Sequence, residues 1–236
     1  MVQPRESDDS RRAFLRQGGL ILGAAALLSP AAFLGCGEKP AGAEISAPED
    51  LMEEHGVLRR LLLVYDEMAR RLQCCKEFAP ELLTQAATLM HGFIQEHHEK
   101  LEEEYVFPIF EKTGKHLALV KILRRQHEAG RRITTYLLHQ AGSSESRNFV
   151  RRAQLEAYLH LFTRMYRAHA AQEDTVLFPA LRTVISPAEY LALGRTFAAR
   201  EQARKGAHGN EPLLAPVAEL EKALGLNDLE EFTPKL

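Results

Sequence analysis

From Ser46 onwards, apolar residues recur every third or fourth position, as they do on one face of an α-helix. The first such stripe is formed by Leu51, His55, Leu58 and Leu62, and a later one by Val120, Leu123, His127, Thr134 and Leu137. Alternating runs of Val, Ile and Thr, which would indicate β-strands, are absent from the sequence. The pattern therefore predicts an all-α protein.

Capping residues and helix-stopping residues divide this pattern into six predicted helices. Ser46 with Glu49, a capping box, begins the first helix, and Pro80 begins the second, which ends at Gly114 before the third. Ser144 or Ser146 begins the fourth helix and Ser186 begins the fifth. The segment LLAPVAELEKALG forms a short sixth helix. Four long helices joined by short loops predict an antiparallel four-helix bundle over residues 48–184. The two extra C-terminal helices would form an extension, residues 185–236, packed on the bundle.

The N-terminal segment does not share the helical pattern. Arg11 and Arg12 precede an apolar run over residues 18–34, which predicts an export signal in residues 1–36. The paired arginines followed by Phe14 and Leu15 resemble the twin-arginine export motif. An uncleaved membrane anchor is the alternative interpretation, because the run approaches the length of a membrane span.

Processing of this signal leaves two alternatives open. The sequence FLGC, which ends at Cys36, resembles a bacterial lipobox and predicts lipidation of that cysteine, although Phe33 departs from the usual aliphatic residue. Cleavage near Ala41-Gly42-Ala43 is the second alternative. Residues 37–47 would then be a linker. In both cases we expect a bacterial exported protein, either periplasmic or anchored through lipid to the outer side of the cytoplasmic membrane.

The composition of the chain limits the classes of molecule expected to bind the protein. The 236-residue chain has a net charge near −2 at pH 7, which favours neither nucleic acid nor an acidic membrane surface as a partner. No nucleic-acid partner is therefore expected.

The second and fourth predicted helices contain a repeated unit. The segment HEKLEEEYVFP begins at His98, and HAAQEDTVLFP begins at His169. Histidine, the glutamate four residues later (Glu102 and Glu173), and the final Phe-Pro fall in register. A solvated run of charges would not be expected to repeat together with its Phe-Pro, so the unit indicates a shared role.

The first and third predicted helices also resemble each other, since EEHGVLRR surrounds His55 and RQHEAGRR surrounds His127. Residues four apart on a helix lie on one face, so each half of the chain presents a histidine and a His-x-x-x-Glu pair to one volume. Carboxylates buried there require positive charge. The repeat therefore predicts two metal ions bridged by carboxylates at the centre of the bundle.

These residues, from about Asp50 to Thr183, resemble the hemerythrin-like, HHE cation-binding domain. The resemblance implies a non-haem di-iron centre in a four-helix bundle. It also implies a ligand set, with both glutamates bridging: His55, His98, Glu102, His127, His169 and Glu173. Oxygen-carrying hemerythrins have a further histidine where this chain has Arg131, and a family variant makes Glu99 the candidate for an extra ligand.

Other polar residues are left out of the predicted site. We expect Glu103 and Glu104 to lie on a solvated face, and His97 to point about 100° away from His98. Mixed imidazole and carboxylate ligands suit two iron ions, with manganese or zinc as alternatives.

Two functions are compatible with this centre. The first is a binding protein that holds or senses oxygen, nitric oxide or another small diatomic ligand, or buffers iron, in the cell envelope. The second is a di-iron redox enzyme acting on peroxide, oxygen or nitric oxide, or repairing iron centres. No flavin motif or electron-transfer domain is recognised in the sequence, which favours the binding protein. A helical interaction module without metal is a third hypothesis.

Overall fold

The computed structural model describes residues 46–141, 149–208 and 214–234. Within these ranges the chain is helical and contains no strand, so the predicted all-α class is confirmed. The helices are α1 (Ala47–Gln73), α2 (residues 80–113), α3 (Leu117–Ala141), α4 (residues 149–184), α5 (Pro187–His208) and α6 (Leu214–Leu224), followed by a 3-10 turn at Leu229–Phe232.

The predicted helix ends agree with these bounds. The Ser46 amide donates to a Glu49 carboxylate oxygen at 2.9 Å, and the Ser186 amide donates to Glu189 at 2.8 Å. Gly114 follows α2 with φ of 75°, a left-handed conformation that suits glycine. The predicted caps Ser144 and Ser146, and the export-signal residues Arg11, Arg12 and Cys36, lie outside the described residues.

The four long helices contact one another in a ring: α1 packs on α2, α2 on α3, α3 on α4 and α4 on α1. The short α6 packs against α1 and α2, where Arg60 of α1 forms an ion pair with Glu221 at 2.6 Å. Helix α5 packs against α1 and the end of α4. Among the described residues, no helix is both long and apolar enough to cross a membrane.

Two clusters of buried apolar residues fill the interior. One includes Leu58, Ile94 and Leu137 and is covered in part by α6, and the other includes Leu51 and Phe110 and is covered in part by α5. Each long helix passes from one cluster to the other beside its predicted metal-binding residues. The site is therefore a polar layer held between two apolar ones.

Helices α2 and α4 change from α-helical to π-helical geometry beside this layer. The wider turns that begin at the two central glutamates are Glu102–Val106 and Glu173–Leu177, and each is followed by the repeated Phe-Pro. Helix α2 has a further π-helical segment, Met90–His98, which no Phe-Pro follows directly. The amides of Phe107 and Phe178 donate to the carbonyls of Glu102 and Glu173, five residues earlier. Since proline has no amide hydrogen to donate, the normal helical bond is lost there, and the helix continues through the wider turn.

Gly130 in α3 permits a close contact with α4. A Cβ atom added at residue 130 would lie 2.0 Å from the Tyr166 hydroxyl oxygen and 2.7 Å from the adjoining ring carbon. Gly56 in α1 is a matched control, because a Cβ atom there would meet nothing within 4 Å.

Replacing these two glycines by alanine should have opposite effects on stability. We expect Gly130→Ala to lower the free energy of unfolding by about 1–3 kcal/mol, because Tyr166 must move. We expect Gly56→Ala to raise it by about 0.5–1 kcal/mol, because alanine is the better helix former. Urea unfolding curves measure both, and equal stability of the two variants would contradict the close contact at Gly130.

Candidate metal centre

Four histidines, one from each long helix, converge in the polar layer. They are His55, His98, His127 and His169, and none is more than 3% exposed. They form two neighbouring pairs, since the ring centroids of His55 and His98 lie 4.7 Å apart and those of His127 and His169 lie 4.8 Å apart.

Glu102 and Glu173 lie between the two pairs, and both are fully buried. One Glu102 oxygen lies 3.7 Å from the Nε2 atom of His98, and the other lies 3.4 Å from the Nε2 atom of His127. One Glu173 oxygen lies 3.0 Å from the Nε2 atom of His169 and 3.5 Å from that of His55. Each carboxylate therefore faces both pairs, as a bridging ligand must.

Six of the atoms that face the centre lack hydrogen-bond partners of ordinary geometry, whereas the Nε2 atoms of His127 and His169 lie 3.1 Å from each other. The six are the Nε2 atoms of His55 and His98 and both carboxylate oxygens of Glu102 and of Glu173. Leaving one buried polar atom unsatisfied costs about 1–3 kcal/mol, and here six converge on one small volume. Metal coordination would satisfy all of them, so the residues fit the cation that the sequence predicts.

The protonation equilibria indicate the same need for positive charge. Burial, together with the facing Glu173, raises the pKa of Glu102 well above its usual value. Burial by itself would lower the pKa of His127, but the nearby carboxylates of Glu102 and Glu103 raise the pKa to about 10. A proton on this imidazole supplies charge that a metal ion would otherwise supply, so metal uptake should release protons.

Each histidine is held from outside the centre through its Nδ1 atom. The acceptors are Asp174 for His55 (2.7 Å), Glu54 for His98 (2.7 Å), Glu103 for His127 (2.9 Å) and Gln126 for His169 (2.9 Å). An oxygen acceptor at Nδ1 places the hydrogen there and leaves the Nε2 lone pair directed at the centre. All four imidazoles are thus oriented for metal binding by partners in the protein.

These outer partners follow the internal repeat. Glu54 and Gln126 immediately precede His55 and His127, yet each holds the histidine of the next helix along the chain. Glu103 and Asp174 immediately follow the two central glutamates. Glu54 and Gln126 were not among the predicted site residues, although an acceptor at the same position of both repeats is a signal that could identify them.

Among the outer partners, Glu54 contacts two consecutive histidines, His97 and His98. Burial alone would raise its pKa, but hydrogen bonds from His97 and His98 lower the pKa of Glu54 to about 2. His97 lies 3.1 Å from Glu54 and 3.5 Å from Glu201 of α5, so it supports the centre from behind and does not enter it.

The sequence predicted that Glu103 and Glu104 lie on a solvated face, and for Glu103 this prediction is wrong. Glu103 does not lie on a solvated face: its side chain is 16% exposed and it contacts both His127 and Arg131, the latter at 2.7 Å. Hydrogen bonds with these two residues outweigh burial and lower the pKa of Glu103 to about 2. Glu104 does lie at the surface, where it pairs with Arg200.

Glu99, the candidate extra ligand, is buried but has other partners. One of its oxygens accepts a hydrogen bond from the Tyr166 hydroxyl at 2.6 Å, and the other lies 2.8 Å from Arg131. Its approach to His127 is through the outward Nδ1 atom, at 4.0 Å. The structure therefore brings the other six predicted ligands together and places Glu99 in the surrounding layer.

The phenylalanines of the repeat close the centre on one side. Phe107 stacks on His127 with ring centroids 5.4 Å apart, and Phe178 stacks on His55 at 5.6 Å. Both phenylalanines are buried within the apolar cluster that α5 covers. The Phe-Pro ending thus fixes two of the imidazole planes as well as the wide helical turns.

This fold and donor set define a helical metal-binding domain, and comparison with known proteins gives its family. Residues 46–181 match the hemerythrin HHE cation binding domain, so the chain belongs to that family. The family and the clustered histidines and glutamates together indicate a metal-binding protein.

The chain is similar to the uncharacterised proteins Rv1995 of Mycobacterium tuberculosis (strain H37Rv) and Mb2018 of Mycobacterium bovis. Each is 41% identical over 190 residues, which cover 80% of this chain and 74% of the relative. No solved structure matches the chain.

The outer partner Glu54 should control metal affinity. We expect Glu54→Gln to weaken metal binding about 10–100-fold, because a neutral amide orients His98 less firmly than a carboxylate does. The exposed neighbour Glu53 supplies the control, and Glu53→Gln should leave affinity unchanged. Competition against a chelator of known affinity measures both, and wild-type affinity in Glu54→Gln would contradict the assigned role.

Proposed function

We propose that the centre holds two iron ions, one bound by His55 and His98 and the other by His127 and His169. Glu102 and Glu173 would be shared between them. The observation that carries this proposal is the set of buried, inward-facing histidine and glutamate side chains, which divides into two groups with Glu102 in both. We further propose that the ring of four long helices is the antiparallel four-helix bundle implied by the resemblance.

The donor types favour iron. Imidazole and carboxylate groups suit iron or manganese, and zinc is the third candidate. The two cysteines within the described residues, Cys74 and Cys75, are exposed and free, and neither belongs to the groups that face the centre. A pair of iron ions held in this way supplies reversible one-electron chemistry and coordination positions for a small ligand.

Enclosure favours a diatomic ligand. The six donor residues are almost completely buried, and stacked phenylalanines close one side. The surface clefts of about 440 and 300 Å³ are lined by other residues. Our proposal is therefore a protein of the cell envelope that binds or senses oxygen, nitric oxide or a similar molecule, or that buffers iron.

Metal content and absorption spectra test this proposal together. The purified protein should contain two iron ions per chain, and its visible spectrum should change when the reduced form meets nitric oxide or oxygen. His98→Ala should lose metal and the stability that metal adds, which is about 4 kcal/mol when free metal is 1,000 times the dissociation constant. His91→Ala is the surface control, since His91 is exposed.

One ion per chain, or zinc after expression with excess iron, would contradict the di-iron proposal. Two iron ions with a spectrum insensitive to either gas would leave iron buffering as the function.

A redox enzyme is the second candidate, because the buried Tyr166 lies against a proposed ligand, with its ring centroid 5.5 Å from that of His169. Sustained turnover of peroxide with a simple reductant would favour the enzyme. A single stoichiometric oxidation would favour the binding protein.

The proposed location rests on residues 1–36 of the sequence and on the type of signal they resemble. Replacing Arg11 and Arg12 by lysine should hold the precursor in the cytoplasm, which cell fractionation and immunoblotting measure. Cys36→Ala should release the mature protein from the membrane into the periplasm. Unchanged membrane association of the Cys36 variant would support the uncleaved anchor instead.

A further inference from the structure

Tyr166 is a buried tyrosine in direct contact with the proposed metal centre. It precedes His169 by about one turn of α4 and is 1% exposed. Its ring lies against the His169 ring on one side and against Phe162, at 4.5 Å, on the other. An electron leaving this ring would therefore reach a proposed metal ligand without crossing solvent.

The hydroxyl of Tyr166 is paired with a base. It donates to Glu99 at 2.6 Å, a distance typical of a hydrogen bond to a charged carboxylate. Glu99 is itself 1% exposed, and its second carboxylate oxygen lies 2.8 Å from the guanidinium of Arg131. Arg131 also contacts Glu103, so it keeps an acidic partner if Glu99 takes up a proton.

The position of the Tyr166 hydroxyl requires a glycine in the neighbouring helix α3. The hydroxyl fits against α3 only because residue 130 is glycine, as the 2.0 Å approach of an added Cβ atom shows. The phenol, the carboxylate and the guanidinium thus occupy a space made by three helices, α2, α3 and α4. No proposed metal ligand depends on Tyr166 for a hydrogen bond at its Nδ1 atom.

Loss of one electron makes a phenol strongly acidic. A buried tyrosine can be oxidised readily only if its proton has somewhere to go, because a positive charge left in an apolar interior is costly. Burial and the neighbouring Glu99 raise the pKa of Tyr166 well above its usual value, so the hydroxyl keeps its proton before oxidation. On oxidation of Tyr166, the electron would leave towards His169 and the proton would leave towards Glu99.

Tyr65 is the matched comparison. It is fully buried, and its ring lies 5.3 Å from Phe162, the same phenylalanine that contacts Tyr166. Within the described part of the chain its hydroxyl has no hydrogen-bond partner. Of these two buried tyrosines, one has a base and contacts a proposed ligand, and the other has neither.

We propose that Tyr166 is a redox-active residue that gives one electron to the iron centre through His169 and its phenolic proton to Glu99. The oxidant is hydrogen peroxide, which takes up two electrons and two protons to form two water molecules. One electron comes from the remaining ferrous ion of a half-oxidised pair, which becomes ferric. The other electron comes from Tyr166, which becomes a neutral radical as its proton passes to Glu99, and solvent supplies both protons that peroxide takes up.

This inference rests on the proposed iron centre, and electron paramagnetic resonance tests the two separately. Protein whose iron pair is half-oxidised is mixed with peroxide and frozen within seconds. We expect an organic radical signal that narrows when the protein is made with ring-deuterated tyrosine. Tyr166→Phe should lose the signal, whereas Tyr65→Phe should keep it.

Glu99→Gln should reduce the radical yield several-fold at unchanged iron content, because an amide accepts the hydrogen bond but not the proton. Metal analysis and the visible spectrum of each variant verify that the iron centre is intact. A radical that persists in Tyr166→Phe, or the absence of a radical in wild-type protein loaded with two iron ions, would overturn the inference alone. Failure of the wild type to bind iron would overturn the proposed function and this inference with it.

Discussion

The structure depends on keeping two carboxylates in a place where water does not reach. Glu102 and Glu173 are fully buried between two apolar clusters, and isolated charges there would be strongly unfavourable. Opposite charge must therefore be supplied from within, by protonated imidazoles or by metal ions. The convergence of four helices, the wide helical turns before Phe-Pro and the outward hydrogen bonds of the histidines all follow from that requirement.

Because of the internal repeat, the same set of hydrogen bonds serves two structural roles. Each half of the chain supplies one acceptor before its first histidine and one after its central carboxylate, and these acceptors hold imidazoles on neighbouring helices. The same hydrogen bonds that orient the ligands therefore also tie the helices together. The halves differ at Glu99 and Tyr166, whose matching positions hold Ala170 and Gln95, so the network that these two residues form with Arg131 belongs to one half.

Much of the fold and the site was predictable from local spacing. Capping residues predicted where α1 and α5 begin and where α2 ends, and the repeat of His-x-x-x-Glu singled out the six central residues that the structure also brings together. Spacing along one helix could not reveal that Glu54 holds His98, because these two residues are 44 positions apart in the chain and lie on different helices. For the same reason Glu103 was assigned to a solvated face, and Glu99 was expected at the metal.

The two halves of the centre are not chemically equivalent. His98 is held by the carboxylate of Glu54, whereas its counterpart His169 is held by the neutral amide of Gln126. An imidazole that donates to a carboxylate becomes a stronger electron donor. If the centre holds two iron ions, as proposed, a half-reduced state would therefore have localised valences, with the more highly charged ion beside His55 and His98. The symmetry of the backbone would then conceal a fixed polarity in the distribution of electrons.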